Sequence, residues 1–287
     1  MYPASFEYHR ATSVKDALSL LQKFGDDAKL LSGGHSLIPM MKLRLAQPAH
    51  LIDIAAIHDL AQIREEGGRV VIGAGSTHTQ VETSDVVRKR VPLLAECAAE
   101  IGDVQVRNRG TIGGSLAHAD PAADYPAAVL ALEGEIKVEG ASGTRTIKAD
   151  EFFVDLLTTA VKTGEILTSV SFAPLGARTG AAYFKHRQPA SGFALVGVAA
   201  VVTLDAKGNC ERVRVGATGL GAKAFRAKAV ETALAGKAPA DAANAASHVA
   251  DGIDALGDIH ASADFRAELA RVYTRRALEL AAARAKG

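Results

Sequence analysis

The segment AKLLSGGHSLIP, residues 28–39, joins a short apolar strand directly to a pair of glycines flanked by serines. Upstream, the spacing of apolar residues predicts a helix over residues 14–24, and Ser13 with Asp16 has the spacing of a capping box at its start. HLIDI, residues 50–54, predicts the next strand. This order predicts a small β-α-β unit whose glycine pair lies at the carboxyl end of a strand, where open α/β sheets bind ligands.

A second glycine pair occurs in TIGGS, residues 111–115, within the segment VRNRGTIGGSLAHADPAADYPA, residues 106–127. The apolar residues of this segment follow no regular period, which predicts a long functional loop. Glycine lets the backbone approach a ligand closely, and successive amides in such a loop form an anion-binding nest. Each pair alone is most simply a plain turn, whereas two of them together make a pair of nests that bracket a diphosphate an equal alternative to two turns.

From about residue 60 the sequence predicts a second α/β part, and beyond the Pro- and Gly-rich stretch FAPLGARTG, residues 172–180, it predicts an antiparallel sheet with helices. Helical spacing in the alanine-rich stretch from 222 to 287 favours helices over disorder there. The predicted strands cover residues 69–77, 135–139, 144–147, 165–172, 181–186, 193–204 and 210–217, and the predicted helices cover residues 85–101, broken at Pro92, and 126–132.

The overall composition argues against several classes of function. The net charge is +1, and no dense block of Lys and Arg alternates with aromatic residues, which argues against binding to nucleic acid or to membranes. The N-terminus lacks the apolar core of a signal peptide, and the longest apolar stretch, residues 193–204, is shorter than the ~20 residues of a membrane helix. We therefore expect a cytoplasmic protein with no membrane span.

The cysteines and histidines argue against a metal centre. Cys97 and Cys210 cannot supply the four thiolates of an iron–sulfur cluster or of an all-cysteine zinc site, and Cys97 lies in an apolar helical pattern typical of a buried core thiol. The histidines form no HExxH motif and no close pair with a carboxylate at the spacing of metal ligands. We therefore expect no metal in this chain.

Three polar side chains have more than one interpretation. Asp124 suits a turn or a helix N-cap, and equally a polar contact to a bound ligand. His35 is interpreted as a general acid or base, as a covalent anchor for a cofactor, or as a residue that positions its loop. Lys185 is either a solvated charge or a cation that reaches the electron-rich edge of a ligand.

A further glycine-rich stretch, VRVGATGLGAKA at residues 213–224, has the form of a dinucleotide fingerprint after a predicted strand. The fingerprint also needs a second parallel strand that ends in an acidic residue about 20 positions later, and none is present. A glycine turn between a strand and a helix is therefore the favoured interpretation. The sequence contains neither a Walker phosphate loop nor a G-x-S-x-G nucleophile motif.

Two runs, FEYHRATSVKDALSLLQKFGDDAKLLSGGHSLIPMMKLRLAQPAHLIDI at residues 6–54 and QVRNRGTIGGSLAHADPAADYPA at residues 105–127, resemble the FAD-binding medium subunit of the molybdenum hydroxylases. That family includes the aerobic carbon monoxide dehydrogenases and the xanthine dehydrogenases. The resemblance spans nearly the whole chain and implies an α+β fold, with a two-subdomain FAD-binding fold of the vanillyl-alcohol oxidase (PCMH) class and a C-terminal antiparallel sheet with helices. The implied domains cover residues 1–58, 59–175 and 178–287.

The resemblance also implies which residues bind FAD. The first glycine loop would wrap the diphosphate, the second would form the facing loop, and Phe193 matches a tyrosine that covers the isoalloxazine face in the carbon monoxide dehydrogenase branch. The second loop departs from the family pattern, since Ser115 stands where Asn or Asp is usual. Valine at Gly34 or Gly113 is predicted to abolish FAD binding in a folded protein. The implied cofactor contacts, with no catalytic residue and no metal ligand, are Ser32, Gly33, Gly34, His35, Ser36, Leu37, Ile101, Thr111, Ile112, Gly113, Gly114, Ser115, Asp124, Lys185 and Phe193.

The resemblance implies two partner subunits. A large molybdenum-cofactor subunit would oxidise the substrate, and a small [2Fe-2S] subunit would pass electrons to FAD in this chain, in a heterotrimer that dimerises to a heterohexamer. The first third is most similar to the carbon monoxide dehydrogenase branch, whereas HRQPASGF, residues 186–193, is more similar to relatives with organic substrates. A stand-alone flavin oxidase or reductase with covalent FAD at His35 is the alternative interpretation, and a scaffold without cofactor is a third.

Overall fold

Three sheets, each formed by a consecutive part of the chain, organise the computed structural model, which describes residues 1–287. We call these parts the N-terminal lobe, residues 7–61, the middle lobe, residues 63–172, and the C-terminal lobe, residues 179–285. These lobes are defined by their sheets, and the domain boundaries implied by the family resemblance stay a prediction.

The N-terminal lobe is a three-stranded parallel sheet with one helix packed on it. Ser13 caps that helix by accepting a hydrogen bond from the amide of Asp16, but the Asp16 carboxylate accepts from the amide of Thr12, so only half of the predicted capping box forms. The elements are β1 (Glu7–Arg10), α1 (Val14–Phe24), β2 (Ala28–Leu31), α2 (Leu37–Lys42) and β3 (His50–Asp53), with strand order β1-β3-β2. The predicted helix and both predicted strands are confirmed, whereas β1, with sequence EYHR, has no apolar alternation that could predict it.

The middle lobe is a five-stranded antiparallel sheet with small helices around it, and its central strand is the last to occur in the sequence. Its elements are β4 (Ile63–Glu66), β5 (Arg69–Gly73), α3 (His78–Thr83), α4 (Asp85–Arg90), α5 (Pro92–Ala99), α6 (Val104–Arg107), α7 (Ile112–His118), α8 (Tyr125–Ala131), β6 (Glu135–Gly140), β7 (Gly143–Lys148), α9 (Ala149–Phe152), β8 (Phe153–Asp155), β9 (Thr158–Thr159) and β10 (Ile166–Phe172). The sheet order is β4-β5-β10-β6-β7, and β8 and β9 form a separate hairpin. The predicted break at Pro92 is confirmed, because α5 begins there.

The prediction of a long irregular loop at residues 106–127 is wrong. The segment contains the second half of α6, all of α7 and the start of α8. Both α6 and α7 have a capped N-terminus, since Asp103 accepts from the amide of Val106 and Thr111 accepts from the amide of Gly114. These helices are so short that no apolar period can develop over their length, which is why the periodicity did not reveal them.

The C-terminal lobe is a four-stranded antiparallel sheet, as predicted, with helices on the side away from the middle lobe. Its elements are β11 (Thr179–Arg187), β12 (Ala194–Leu204), β13 (Cys210–Thr218), β14 (Phe225–Arg226), α10 (Lys228–Leu234), α11 (Ala242–Ala246) and α12 (Ala263–Ala285), with sheet order β11-β12-β13-β14. No helix of the structure combines the length and the apolar character that crossing a bilayer requires.

Two close approaches hold the C-terminal sheet between helices. A Cβ atom at Gly180 would lie 2.1 Å from the carbonyl oxygen of Ala281 in α12, and one at Gly216 would lie 2.1 Å from that of Ala127 in α8. The sheet is therefore covered on both faces, which explains why β12 is an almost continuous apolar run.

The apolar cores show how the lobes are joined. The largest core combines middle-lobe residues with Ala181, Tyr183, Ala199 and Val201 of the C-terminal sheet, so these two lobes share one interior. The N-terminal lobe has a smaller core of its own, to which β10 contributes Ile166. The boundary between the N-terminal and middle lobes is therefore the place with the least apolar packing, and the main cavity lies there.

Candidate functional site

A cavity of about 550 Å³ lies between the N-terminal and middle lobes. Its volume is within the range of binding sites for small molecules and cofactors. One wall is the loop from β2 to α2, which contains the first glycine pair, and the facing wall includes the start of α7, which contains the second. The two sequence motifs are thus brought to one site.

The two glycine motifs touch each other directly. The hydroxyl groups of Ser32 and Thr111 lie 3.1 Å apart, which joins the lobes by a hydrogen bond. A Cβ atom at Gly33 would lie 2.2 Å from the carbonyl oxygen of Arg109, and Gly34 has a φ of +75°. Glycine is therefore required at 33 by backbone packing and at 34 by backbone conformation, before any ligand is considered.

The first glycine loop presents free hydrogen-bond donors. The backbone amides of residues 33–37 make no hydrogen bond within the chain, while the next amide along, that of Ile38, donates to the carbonyl of Gly34. The loop also lines the cavity. A run of unpaired amides beside a cavity is the arrangement that binds phosphate-type anions, as predicted from the sequence.

The second glycine pair does not form a nest. Gly113 and Gly114 lie in the first turn of α7, where their amides donate to the carbonyl of Ala74 and to the hydroxyl of Thr111. A Cβ atom at Gly113 would lie 2.4 Å from the Cβ of Ala74, so this glycine permits α7 to pack on the chain beyond β5. The prediction of two equivalent loops is therefore wrong, because helix formation and packing occupy the second set of amides.

The second motif contributes a hydroxyl group to the cavity. Ser115 lines the cavity wall, as does Ser36 of the first motif, and neither side chain makes a hydrogen bond within the chain. Each is therefore a donor that the fold itself does not use.

Most of the residues predicted to contact a cofactor line this cavity. Ile112 is an exception, because it is the first residue of α7 and its side chain is fully buried in the core. Lys185 is the other exception, because its side chain is buried behind the wall. The predicted residues on the wall are Ser32, Gly33, Gly34, His35, Ser36, Leu37, Ile101, Thr111, Gly113, Gly114, Ser115, Asp124 and Phe193.

Asp124 carries the buried charge of the cavity wall. Its carboxylate accepts hydrogen bonds from the Tyr183 hydroxyl at 2.6 Å and from the Lys185 ammonium at 2.9 Å, and the ammonium also donates to the carbonyl of Glu100. Burial raises the pKa of Asp124 to about 6, although the two donors favour its ionised form. Lys185 is therefore neither a solvated charge nor a direct ligand contact, the two interpretations that the sequence suggested. Its ammonium group instead fixes the position of Asp124 in the cavity wall.

His78 lines the cavity and was missed by the sequence prediction. Its side chain is 5% exposed, and its Nδ1 has no hydrogen-bond partner. Burial lowers the pKa of His78 to about 4, with His35 and Arg107 nearby adding to the effect, so the ring is neutral near pH 7. The signal was present in the sequence, because His78 directly follows the glycine-containing end of a predicted strand, as His35 does.

His35 and Phe193 are the more exposed members of the wall. The Nδ1 of His35 lies 3.1 Å from the carbonyl oxygen of Gly33, a local contact that suits a residue which positions its loop. Phe193 is 46% exposed at the end of a short loop, where Gly192 packs against Gly102. An aromatic ring that is half exposed beside a cavity has a free face for a planar ligand.

The chemistry of the wall suits a large, partly anionic ligand with an apolar part. Free amides and unpaired hydroxyls face one portion of the cavity, and the side chains of Ile101 and Phe193 face another. The ring of His78 lines the cavity, while its Nδ1 is buried behind the wall without a hydrogen-bond partner. These features fit a dinucleotide whose diphosphate lies against the first glycine loop.

Comparison with known proteins gives two family matches that together cover most of the chain. Residues 4–174 match the family model described as "FAD binding domain in molybdopterin dehydrogenase". Residues 181–281 match the one described as "CO dehydrogenase flavoprotein C-terminal domain".

Full-length relatives lie in the same family. The chain is 42% identical to the carbon monoxide dehydrogenase medium chain of Hydrogenophaga pseudoflava over 99% of each chain. It is 38% identical to subunit alpha of the 6-hydroxypseudooxynicotine dehydrogenase complex of Paenarthrobacter nicotinovorans, over 100% of this chain and 97% of the relative. A solved structure of the carbon monoxide dehydrogenase from H. pseudoflava superimposes with a TM-score of 0.96 at 43% identity, over 99% of each chain.

Proposed function

Because the chain belongs to the family of FAD-binding medium subunits of molybdenum hydroxylases, we propose that it transfers electrons from a [2Fe-2S] partner subunit to an external acceptor. Its cofactor is FAD, its fold is the predicted α+β arrangement of an FAD-binding part and a C-terminal sheet domain, and it is an oxidoreductase subunit. FAD supplies the redox chemistry when it is bound. The residues of this chain bind it, orient it and set its surroundings.

The run of free amides at residues 33–37 carries the proposal for the site. These amides bind the FAD diphosphate, and the hydroxyls of Ser36 and Ser115 add donors that the fold does not use. The neutral ring of His78 lines the same cavity without adding a positive charge. The first glycine loop thus makes most of the contact with the diphosphate, and the second motif adds the hydroxyl group of Ser115.

The remaining predicted contacts form the part of the site that faces the flavin ring. Ile101 and Phe193 pack against the ring, and Asp124 offers a polar contact whose direction is fixed by Lys185 and Tyr183. No side chain of this chain needs to act as a general acid or base, because the substrate is oxidised on a separate subunit.

Two partner subunits complete the proposed enzyme. Cys97 and Cys210 are both buried and free, so this chain offers no cysteine cluster, and an iron–sulfur centre that reduces FAD would lie in another chain. We assign the electron donor to a small [2Fe-2S] subunit and substrate oxidation to a large molybdenum-cofactor subunit, in a heterotrimer that dimerises to a heterohexamer. The cytoplasmic location stays a prediction from the sequence.

The substrate class divides the relatives, since chains of comparable identity serve carbon monoxide and 6-hydroxypseudooxynicotine dehydrogenases. We therefore propose the electron path of this subunit alone, and the experiment below identifies whether the complex oxidises carbon monoxide or an organic compound. A covalent bond from His35 to FAD has no support in the geometry, where the Nδ1 of this ring is engaged by the Gly33 carbonyl.

The proposal is tested on the complex isolated through a tag on this chain from the source cells. We expect a large and a Cys-rich small subunit to co-purify, and acid precipitation to leave yellow FAD in the supernatant. Anaerobic addition of carbon monoxide, and separately of N-heteroaromatic compounds, identifies the substrate class by loss of flavin absorbance. A protein that purifies alone with its colour in the acid pellet would establish the stand-alone flavoenzyme instead, and a colourless protein that refuses added FAD would establish the scaffold.

A further inference from the structure

The N-terminal sheet brings Glu7, His9 and His50 together at the starts of two strands. In the parallel pair of β1 and β3, Glu7 is in register with His50 and His9 is in register with Ile52. Residues in register, and residues two apart in one strand, point to the same face of a sheet. One carboxylate and two imidazoles therefore converge on the face that α1 covers.

The three ligand atoms have the spacing of a metal site. His9 Nε2 lies 3.1 Å from His50 Nδ1, and a Glu7 carboxylate oxygen lies 3.8 Å from the former and 3.5 Å from the latter. A point about 2.0 Å from all three atoms exists within a triangle of these sides, and this is the distance at which zinc holds nitrogen and oxygen ligands. An ion can therefore enter with little movement of the side chains.

The two histidine rings are held in place by packing. Phe24, the last residue of α1, stacks on His50 with ring centroids 3.8 Å apart and on His9 with centroids 4.7 Å apart. The histidine side chains are 22% and 19% exposed, whereas Glu7 is 72% exposed. Two pre-positioned imidazoles and one exposed carboxylate leave one side of the site open to solvent, where a further ligand can bind.

We infer that His9, His50 and Glu7 bind one divalent transition-metal ion of the zinc class, outside the flavin site. Two imidazoles with one carboxylate are a donor set that suits zinc and copper better than calcium or magnesium. The cluster lies at the starts of β1 and β3, whereas the FAD cavity contains Leu31 and Ile54 at the opposite ends of β2 and β3. The ion therefore joins β1 to β3 at the end of the sheet away from the flavin cavity.

The expectation of no metal rested on residue spacing along the chain alone, and this cluster is not visible at that level. Glu7 and His9 are two residues apart, but His50 joins them only through the pairing of β1 with β3, and β1 was not predicted. No spacing rule along the chain could have shown the cluster.

The test is titration of the metal-stripped full-length chain with zinc chloride, followed by calorimetry and thermal unfolding. The variants are Glu7→Gln and His50→Gln, with His248→Gln as the matched control, since His248 is an exposed histidine that contacts one carboxylate, Asp251, at 2.8 Å. We expect one zinc ion per chain and a higher Tm with zinc, both in the natural sequence and in the control. In Glu7→Gln and His50→Gln the affinity should fall by at least about tenfold, and the Tm increase should disappear.

Two results would overturn the inference. One is a natural chain that takes up no zinc, and the other is a Glu7→Gln variant that binds zinc as tightly as the control does. Because Glu7 is exposed, this variant keeps the fold, so its result stands even if His50→Gln fails to fold. FAD content is measured in parallel and should be the same in all four proteins.

Discussion

Ser36 and Ser115 show how a residue can serve a ligand without serving the fold. Both line the cavity, and neither hydroxyl bonds to the chain. Ser32 is different, because its hydroxyl joins the two lobes through Thr111. Three serines that look alike in the sequence thus have two different roles, and only the paired one contributes to the structure of the apoprotein.

Alanine at Ser36 or Ser115 is expected to weaken FAD binding without destabilising the apoprotein. Loss of one hydrogen bond to a charged phosphate group costs about 1.5–3 kcal/mol, or a roughly 10- to 150-fold higher Kd for each variant. Flavin fluorescence measures the Kd, and urea unfolding measures the stability, which should change by less than about 0.5 kcal/mol. Ser19→Ala, which removes an exposed hydroxyl on α1, is the control. Unchanged affinity in both variants would move the diphosphate away from these hydroxyls.

His78 is expected to make the apoprotein sensitive to acid. Its pKa is about 4 in the folded chain and 6.5 in the unfolded chain, so below pH 6.5 the unfolded chain binds the additional proton. The free energy of unfolding therefore falls as the pH drops from 6.5 towards 4, by up to about 3 kcal/mol from this group. Urea unfolding at pH 7 and at pH 4.5 should show a smaller loss in His78→Gln than in the natural chain.

Titration of Asp124 changes the free energy of unfolding in the opposite direction over the same pH range. Its pKa is raised to about 6, so the folded chain takes up the proton first and gains stability as the pH falls towards 4. Both proteins in the comparison contain Asp124, and its contribution cancels in the difference between them. Equal pH dependence in the two proteins would show that the buried ring titrates normally.

At the scale of elements, glycine sets how closely the lobes approach each other. Gly33 lies against the backbone of Arg109 and Gly110, and Gly113 lies against Ala74. Both were attributed to the cofactor on the basis of sequence. We therefore revise the prediction for Gly113→Val, because the branched side chain would displace α7. Loss of FAD from this variant would not by itself show that Gly113 contacts the phosphate.

Gly33→Ala is expected to lower the free energy of unfolding of the apoprotein by about 2 kcal/mol. The added Cβ would lie 2.2 Å from the backbone carbonyl oxygen of Arg109. Because the two segments meet through their backbones, neither can move aside without separating the N-terminal and middle lobes. Gly176→Ala is the matched control, since its Cβ would have ordinary contact at 3.9 Å. Urea unfolding without FAD compares them, and equal stabilities would mean that the loop can shift freely.

The helices and strands that could be predicted are those long enough to show an apolar period, or those with capping or turn residues at their ends. The helix at Val14–Phe24 has five apolar residues at helical spacing and a serine cap, and β12 is an apolar run with turn residues on both sides. The strands β1 and β4 are polar, and α6 and α7 are too short to show a period. Their conformation is decided by pairing and packing with distant residues, which local sequence does not record.

The candidate site was predictable in its location and only partly in its chemistry. Glycine pairs and serines identified the two walls, but the sequence could not show that the amides of the second pair are used inside α7. Nor could it show that Lys185 is buried against Asp124. The contact of the Gly113 amide with Ala74 and that of Lys185 with Asp124 join residues more than 30 positions apart, which only the folded chain brings together.

At the scale of the whole molecule, one buried ion pair joins the C-terminal sheet to the middle lobe. Lys185 in β11 contacts Asp124 at the start of α8 and the carbonyl of Glu100. The two side chains are 1% and 5% exposed. Removal of one partner from such a pair leaves an uncompensated charge inside the protein.

Lys185→Met is expected to cost about 3–5 kcal/mol of unfolding free energy at pH 7.5, because the buried Asp124 must then stay ionised without its cation or take up a proton. The loss should be smaller at pH 5, where Asp124, with a pKa of about 6, is protonated in the folded chain. Lys228→Met is the control, since this lysine is 75% exposed and lies 3.9 Å from Asp150. A cost that does not change with pH would assign the loss to packing alone.

The position of β10 determines when the cofactor site can form during protein synthesis. This strand lies in the centre of the middle sheet, between β5 and β6, although it follows both in the chain. A nascent chain that has emerged from the ribosome only to residue 160 contains both glycine motifs but lacks the strand that joins the two halves of the sheet. We therefore expect FAD to bind only after residue 172 has left the exit tunnel, when the middle sheet can close.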